Sequence, residues 1–124
     1  DASPENKADN SVACVESICN VIKRAYGKLP DNRVMLSTEE LFKYLKESGL
    51  YTQPDFPEPG TIVLAVSQYR NGERIYGHAA VAGRHCLLSN DSRSGLWMEN
   101  YTLESFQLYY GRKLRLNIFY FNHL

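Results

Sequence analysis

An α+β domain is the fold class this 124-residue sequence predicts. Apolar residues recur at three- and four-residue steps before Gly49 and at two-residue steps after Gly60, and a stretch carrying Pro54, Pro57 and Pro59 separates the two regimes. Helices followed by antiparallel strands is the α+β pattern. One domain over 1–124 follows from length: such a chain buries roughly two thirds of its unfolded surface, enough for one core and a cleft.

The elements follow in order. Residues 1–9 are polar and carry Pro4, which reads as a flexible arm or a strap across the surface. Val15, Ile18, Cys19, Ile22 and Tyr26 mark a first helix, with Asn10 or Ser11 as its cap and Gly27 as its stop. Ser37 with Glu40 forms a capping box ahead of Leu41, Phe42, Tyr44 and Leu45, so a second helix runs toward Gly49. The three prolines then impose an extended crossing. Thr61 to Tyr69 reads as a buried strand, Asn71-Gly72 as a hairpin turn, and Arg74 to Ala82 as the return strand. Gly83-Arg84-His85 reads as a tight connection to a third strand, Cys86 to Asn90, and a loop from Asp91 to Gly95 leads to Leu96 through Glu99. Thr102 caps a short helix through Tyr110. A last strand alternates Leu114, Leu116, Ile118 and Tyr120 on one face with Phe119 and Phe121 on the other.

Charge and composition exclude several functions. Fourteen basic residues balance fourteen acidic ones, so no global field is available to hold a polyanion, and a nucleic-acid partner is not expected. No apolar run approaches the ~20 residues of a membrane span. At 44% hydrophobic the chain is too apolar for a disordered protein. No CxxC, HExxH or His/Cys cluster at ligand spacing occurs, so neither a metal nor another cofactor is expected. The chain opens at Asp1 without a signal-like apolar stretch, which reads as processing or trimming.

Three cysteines, Cys14, Cys19 and Cys86, leave at least one thiol outside any internal bridge. Cys14 falls in the first turn of the first helix, where free backbone N–H groups and the helix dipole stabilise a thiolate. It is a candidate nucleophile, with a small buried hydrophobe as the alternative. Cys19, five positions on, reads as core, and Cys86 as core or as a disulfide partner of Cys19. A thiol nucleophile needs a base and a group that holds the base. His78, in Tyr76-Gly77-His78-Ala79-Ala80-Val81, sits among small residues that let another element approach; a satisfied core histidine is the alternative. With a three-residue connection at 83–85, Ala82 pairs with Cys86 and His78 falls directly opposite Asn90, whose side chain would hold Nδ1 and leave Nε2 toward the thiol. A two-residue connection would put Ser89 opposite His78, and a one-residue slip would bring Asp91 to bear. Asn90 is the preferred third residue. Cys14 N–H, with Asn10 or Ser11, is the candidate oxyanion donor set. Trp97, Tyr109 and Tyr110 read as core or rim, Glu16 and Arg93 as surface charges, and His85 and His123 as solvated.

These residues carry a family resemblance. Cys14 at a helix start, Pro59-Gly60-Thr61-Ile62-Val63 entering a strand, and then Gly77-His78-Ala79-Ala80-Val81 resemble the papain-like cell-wall cysteine hydrolases: NlpC-type endopeptidases, CHAP amidases and type VI secretion amidase effectors. The order spans Asn10 to Phe121. Departures exist, since Ala13-Cys14-Val15-Glu16 differs from the Asp-Cys-Ser-Gly of many NlpC-type chains, and Asn90 follows the CHAP pattern. The resemblance implies N-terminal helices packed on an antiparallel sheet, with Cys14 as nucleophile, His78 as general base and acid, and Asn90 as the orienting residue. It further implies a cysteine peptidase or amidase acting on peptidoglycan peptide stems or crosslinks. An extracytoplasmic location, a monomer, and an immunity or inhibitor protein as partner complete the expectation. The same triad on another amide, or a non-catalytic binding module on the same fold, are the rival readings.

Overall fold

A computed structural model describes residues 37–90 and 97–124, without the side chains of Asn90, Trp97, Met98 and Asn100. The arm, the first helix with Asn10, Ser11, Cys14, Glu16 and Cys19, and the loop with Asp91 and Arg93 lie outside the described residues.

Helix α1 (Thr38–Glu47) starts as its capping signal requires: the Ser37 hydroxyl accepts the Glu40 N–H at 3.1 Å. It ends at Gly49, which takes φ +76°, a conformation that costs glycine nothing. Leu41 and Leu45 lie one turn apart on its buried face. The chain next forms a two-residue strand that the sequence did not suggest, β1 (Tyr51–Thr52), and the proline segment crosses to β2 (Ile62–Ala65). The strand expected from Thr61 to Tyr69 and its return from Arg74 to Ala82 are each interrupted. They form an outer pair, β3 (Gln68–Arg70) with β4 (Glu73–Ile75), and an inner pair, β2 with β5 (His78–Ala82). Asn71 and Gly72 both have positive φ, 52° and 78°, as a two-residue type I′ turn demands.

The interruption has a physical cause. The Ser67 hydroxyl accepts the Gly77 N–H at 2.7 Å and the Thr38 hydroxyl at 2.8 Å, while Thr38 Oγ1 accepts the Ser67 N–H. A Cβ on Gly77 would stand 1.9 Å from the Ala65 carbonyl oxygen, so the strands converge there only because that residue is glycine. The start of α1 thereby ties down the kink from 29 residues away in sequence.

Strands β6 (Leu87–Asn90) and β7 (Trp97–Tyr101) follow, then α2 (Leu103–Phe106), a π-helix (Gln107–Lys113) and β8 (Ile118–His123). Thr102 and Ser105 form the reciprocal cap at α2, but the helix continues with π hydrogen bonding past Tyr110, as in Leu114 N–H to Tyr109 O. The last strand begins at Ile118 rather than Leu114, because Arg115 has φ +57° and breaks the extended run. Six strands form one antiparallel sheet in the order β1-β8-β2-β5-β6-β7.

Both sheet faces are covered, which is why all four residues of β2 are buried. On one face Ile62, Leu64, Ala79 and Phe121 pack against Leu41 and Leu45 of α1. On the other, Val63, Ala65, Ala80, Ala82 and Leu87 pack against Phe106, Tyr110 and Leu116. The described chain is therefore α+β, with helices against an antiparallel sheet. No helix among the described residues is long and apolar enough to cross a membrane.

Candidate active site

His78 opens β5, the strand flanked by β2 and β6 in the sheet. Its partner on β2 is Ala65, and its side chain lies on the face that carries Phe106 and Tyr110. The imidazole is 7% exposed. Tyr110 stacks on it nearly parallel, with centroids 5.6 Å apart and planes at 12°, while Tyr101 and Phe106 approach to 5.7 and 6.2 Å. Tyr110 lies within the π-helix and is one of its buried residues. Its hydroxyl meets that of Tyr101 at 3.3 Å. Of the aromatics taken as core or rim, Tyr110 is thus against the histidine and Tyr109 is exposed.

The β5–β6 register differs by one residue from the expected one. Ala82 pairs with Leu87 and Val81 with Leu88, so the connection is four residues long, 83–86, and Cys86 precedes the strand instead of opening it. Gly83 N–H closes the connection on the Cys86 carbonyl at 2.8 Å. The arithmetic that set Asn90 directly opposite His78 therefore does not hold; the register is the one-residue slip for which the sequence named Asp91, which lies outside the described residues. Asn90 pairs with Trp97 at the end of β6. Ser89, a diagonal neighbour under this register, is bonded to the imidazole: Nε2 lies 2.9 Å from Ser89 Oγ, and Ser89 is fully buried. The ring is thus engaged through Nε2, the nitrogen that the sequence reading had turned toward the thiol. The sequence brought Ser89 to His78 only through a two-residue connection; the four-residue connection brings it there on the diagonal instead.

Cys86 is a free thiol, not a half-cystine, and its S–H donates to Glu99 Oε2 at 2.8 Å. That hydrogen bond to a carboxylate pushes its pKa up, the reverse of nucleophile activation. His85 is exposed, whereas His123 is half-buried, with Tyr51 edge-on at 4.9 Å. Among the described residues no three His, Cys, Asp or Glu side chains gather as metal ligands would. No protein-family model, characterised protein or solved structure matches the chain.

Proposed function

We propose that the protein is a papain-like cysteine amidohydrolase or endopeptidase that cleaves amide bonds in peptidoglycan peptides, with Cys14 as nucleophile and His78 as general base and acid. The observation that carries this reading is His78 itself: a histidine on an inner strand, enclosed by aromatic rings and bonded at one ring nitrogen to a neighbouring strand. A base of this kind needs such restraint. The order Cys14, Pro59-Gly60-Thr61, Gly77-His78-Ala79 and its resemblance to the NlpC/CHAP hydrolases supply the nucleophile and the substrate class. Cys14 attacks the amide carbonyl, His78 takes the thiol proton and delivers it to the departing amine, and water releases the acyl group from the thioester. Asn90 and Asp91 are the sequence's candidates for the orienting group, and among the contacts of the described residues Ser89 Oγ lies 2.9 Å from Nε2. The proposed substrate lies outside the cytoplasm, and the enzyme's site of action with it.

Digestion of purified peptidoglycan by the wild type and by Cys14→Ala, with fragments identified by mass spectrometry, tests this. New amine termini from the wild type alone are expected, and their masses name the bond. Absence of cleavage by folded wild-type protein would overturn the murein substrate. The burial of His78 favours one other reading, a binding module in which His78 is a packed core residue. In that case Cys14 has no enhanced reactivity toward alkylating agents.

A further inference from the structure

We propose that the exposed face of the π-helix, Leu108 and Tyr109 with Arg112, Lys113 and the following Arg115, is a docking surface for an anionic lipid bilayer. It is independent of the reading of Cys14 and His78. Tyr110 is buried, whereas Leu108 and Tyr109 beside it are 46% and 42% exposed, so two large apolar side chains stand together in water. Arg112, Lys113 and Arg115 are exposed next to them, and Lys113 Nζ lies 5.3 Å from the centre of the Tyr109 ring, which puts charge and apolar surface on one face. Residues 105–124 hold these three Lys or Arg side chains and no Asp or Glu.

The end of the helix does not account for the cations. Basic residues there commonly serve the terminal carbonyls and the dipole. Arg70 of β3 already does so, donating to the Leu114 carbonyl at 2.5 Å and to that of Arg115. Carboxylates do not account for them either: among the described residues Arg74 pairs with Glu39, but neither Arg112, Lys113 nor Arg115 is paired. Against these three and Arg70 stand Glu104, one turn before Leu108, and Glu73, across the hairpin from Arg70, so the surplus is positive. The combination selects the occupant. A soluble polyanion would take the cations and leave Leu108 and Tyr109 in water, and an apolar groove would strand the cations. A bilayer with anionic headgroups takes both, the apolar side chains at the acyl boundary and the cations among the phosphates. Because the overall charge is zero, the attraction is local and is screened by salt.

The test is co-sedimentation of the full chain with vesicles of phosphatidylcholine, alone or mixed with phosphatidylglycerol, at millimolar lipid and low salt. Binding to the mixed vesicles only, reversed by added salt, is expected. Each base removed weakens it about fivefold, so Arg112→Gln with Lys113→Gln weakens it about 25-fold. Leu108→Asn weakens it several-fold without changing the urea midpoint, since that side chain is exposed. Lys43→Gln with Arg84→Gln removes the same charge from other exposed sites and leaves binding unchanged. Absence of binding to the mixed vesicles, or an equal loss in the Lys43/Arg84 variant, would overturn the proposal. Binding of polyglutamate as tight as that of the vesicles, with Leu108→Asn without effect, would assign the face to an acidic chain and overturn it as well.

Discussion

Gly77 shows how a single residue sets the geometry beside the site. Any Cβ there meets the Ala65 carbonyl, and the Gly77 N–H is bound by Ser67. Gly77→Ala is expected to destabilise the fold by about 3 kcal/mol, read as a lower urea midpoint at unchanged slope. The sequence exposed this glycine only as one small residue among several before His78, because the clash involves a carbonyl on another strand. Cys86 carries a second residue-scale expectation. The Glu99 carboxylate holds its thiol protonated, so Glu99→Gln should speed Cys86 alkylation at pH 8, followed by peptide mass spectrometry. No change in rate would mean that the Cys86–Glu99 bond does not persist in solution.

Among elements, local signals were legible and long-range ones were not. The Ser37 and Thr102 caps, the Asn71-Gly72 turn and the two faces of β8 each follow from residues within a few positions of one another. The kink between β2 and β3, the π-helix and the β5–β6 register depend on partners far along the chain: Thr38 on Ser67, Tyr110 against His78, Leu87 against Ala82. The register slip is the costly one, since alternation along a strand turns one missed loop residue into a different neighbour for the histidine. Ser37→Ala should lower stability by about 1 kcal/mol through loss of the α1 cap. Glu39, at the start of α1, ties that helix to β4 through a two-pronged bond with Arg74, 2.7 and 2.9 Å. The Arg74 hydrogen bonds hold the Glu39 carboxyl below the ordinary carboxylate range. Its contribution is therefore full above the unfolded pKa of about 4.3 and is lost as pH falls through the lower folded value. Glu39→Gln should be less stable than wild type by under about 1 kcal/mol near pH 7, because the pair is partly exposed. The difference should shrink as pH falls below about 4.3 and vanish once pH is below the folded value, in parallel denaturation curves.

For the whole molecule, a six-stranded antiparallel sheet covered on both faces holds His78 on the side opposite α1, under α2 and the π-helix. Composition and order along the chain were enough for the α+β class and for placing His78 on a buried strand. The aromatic rings around it were not legible, since they come from β7, α2 and the π-helix, which lie against His78 only in the folded sheet. The central claim is that His78 acts on Cys14. Its most direct test is iodoacetamide labelling of the native protein at pH 6, with each cysteine quantified by mass spectrometry, in the wild type and in His78→Gln. Cys14 labelling well ahead of Cys19 and Cys86, and falling to their level in folded His78→Gln, is the predicted result. Equal slow labelling of all three cysteines, or a Cys14 rate indifferent to His78, would contradict it.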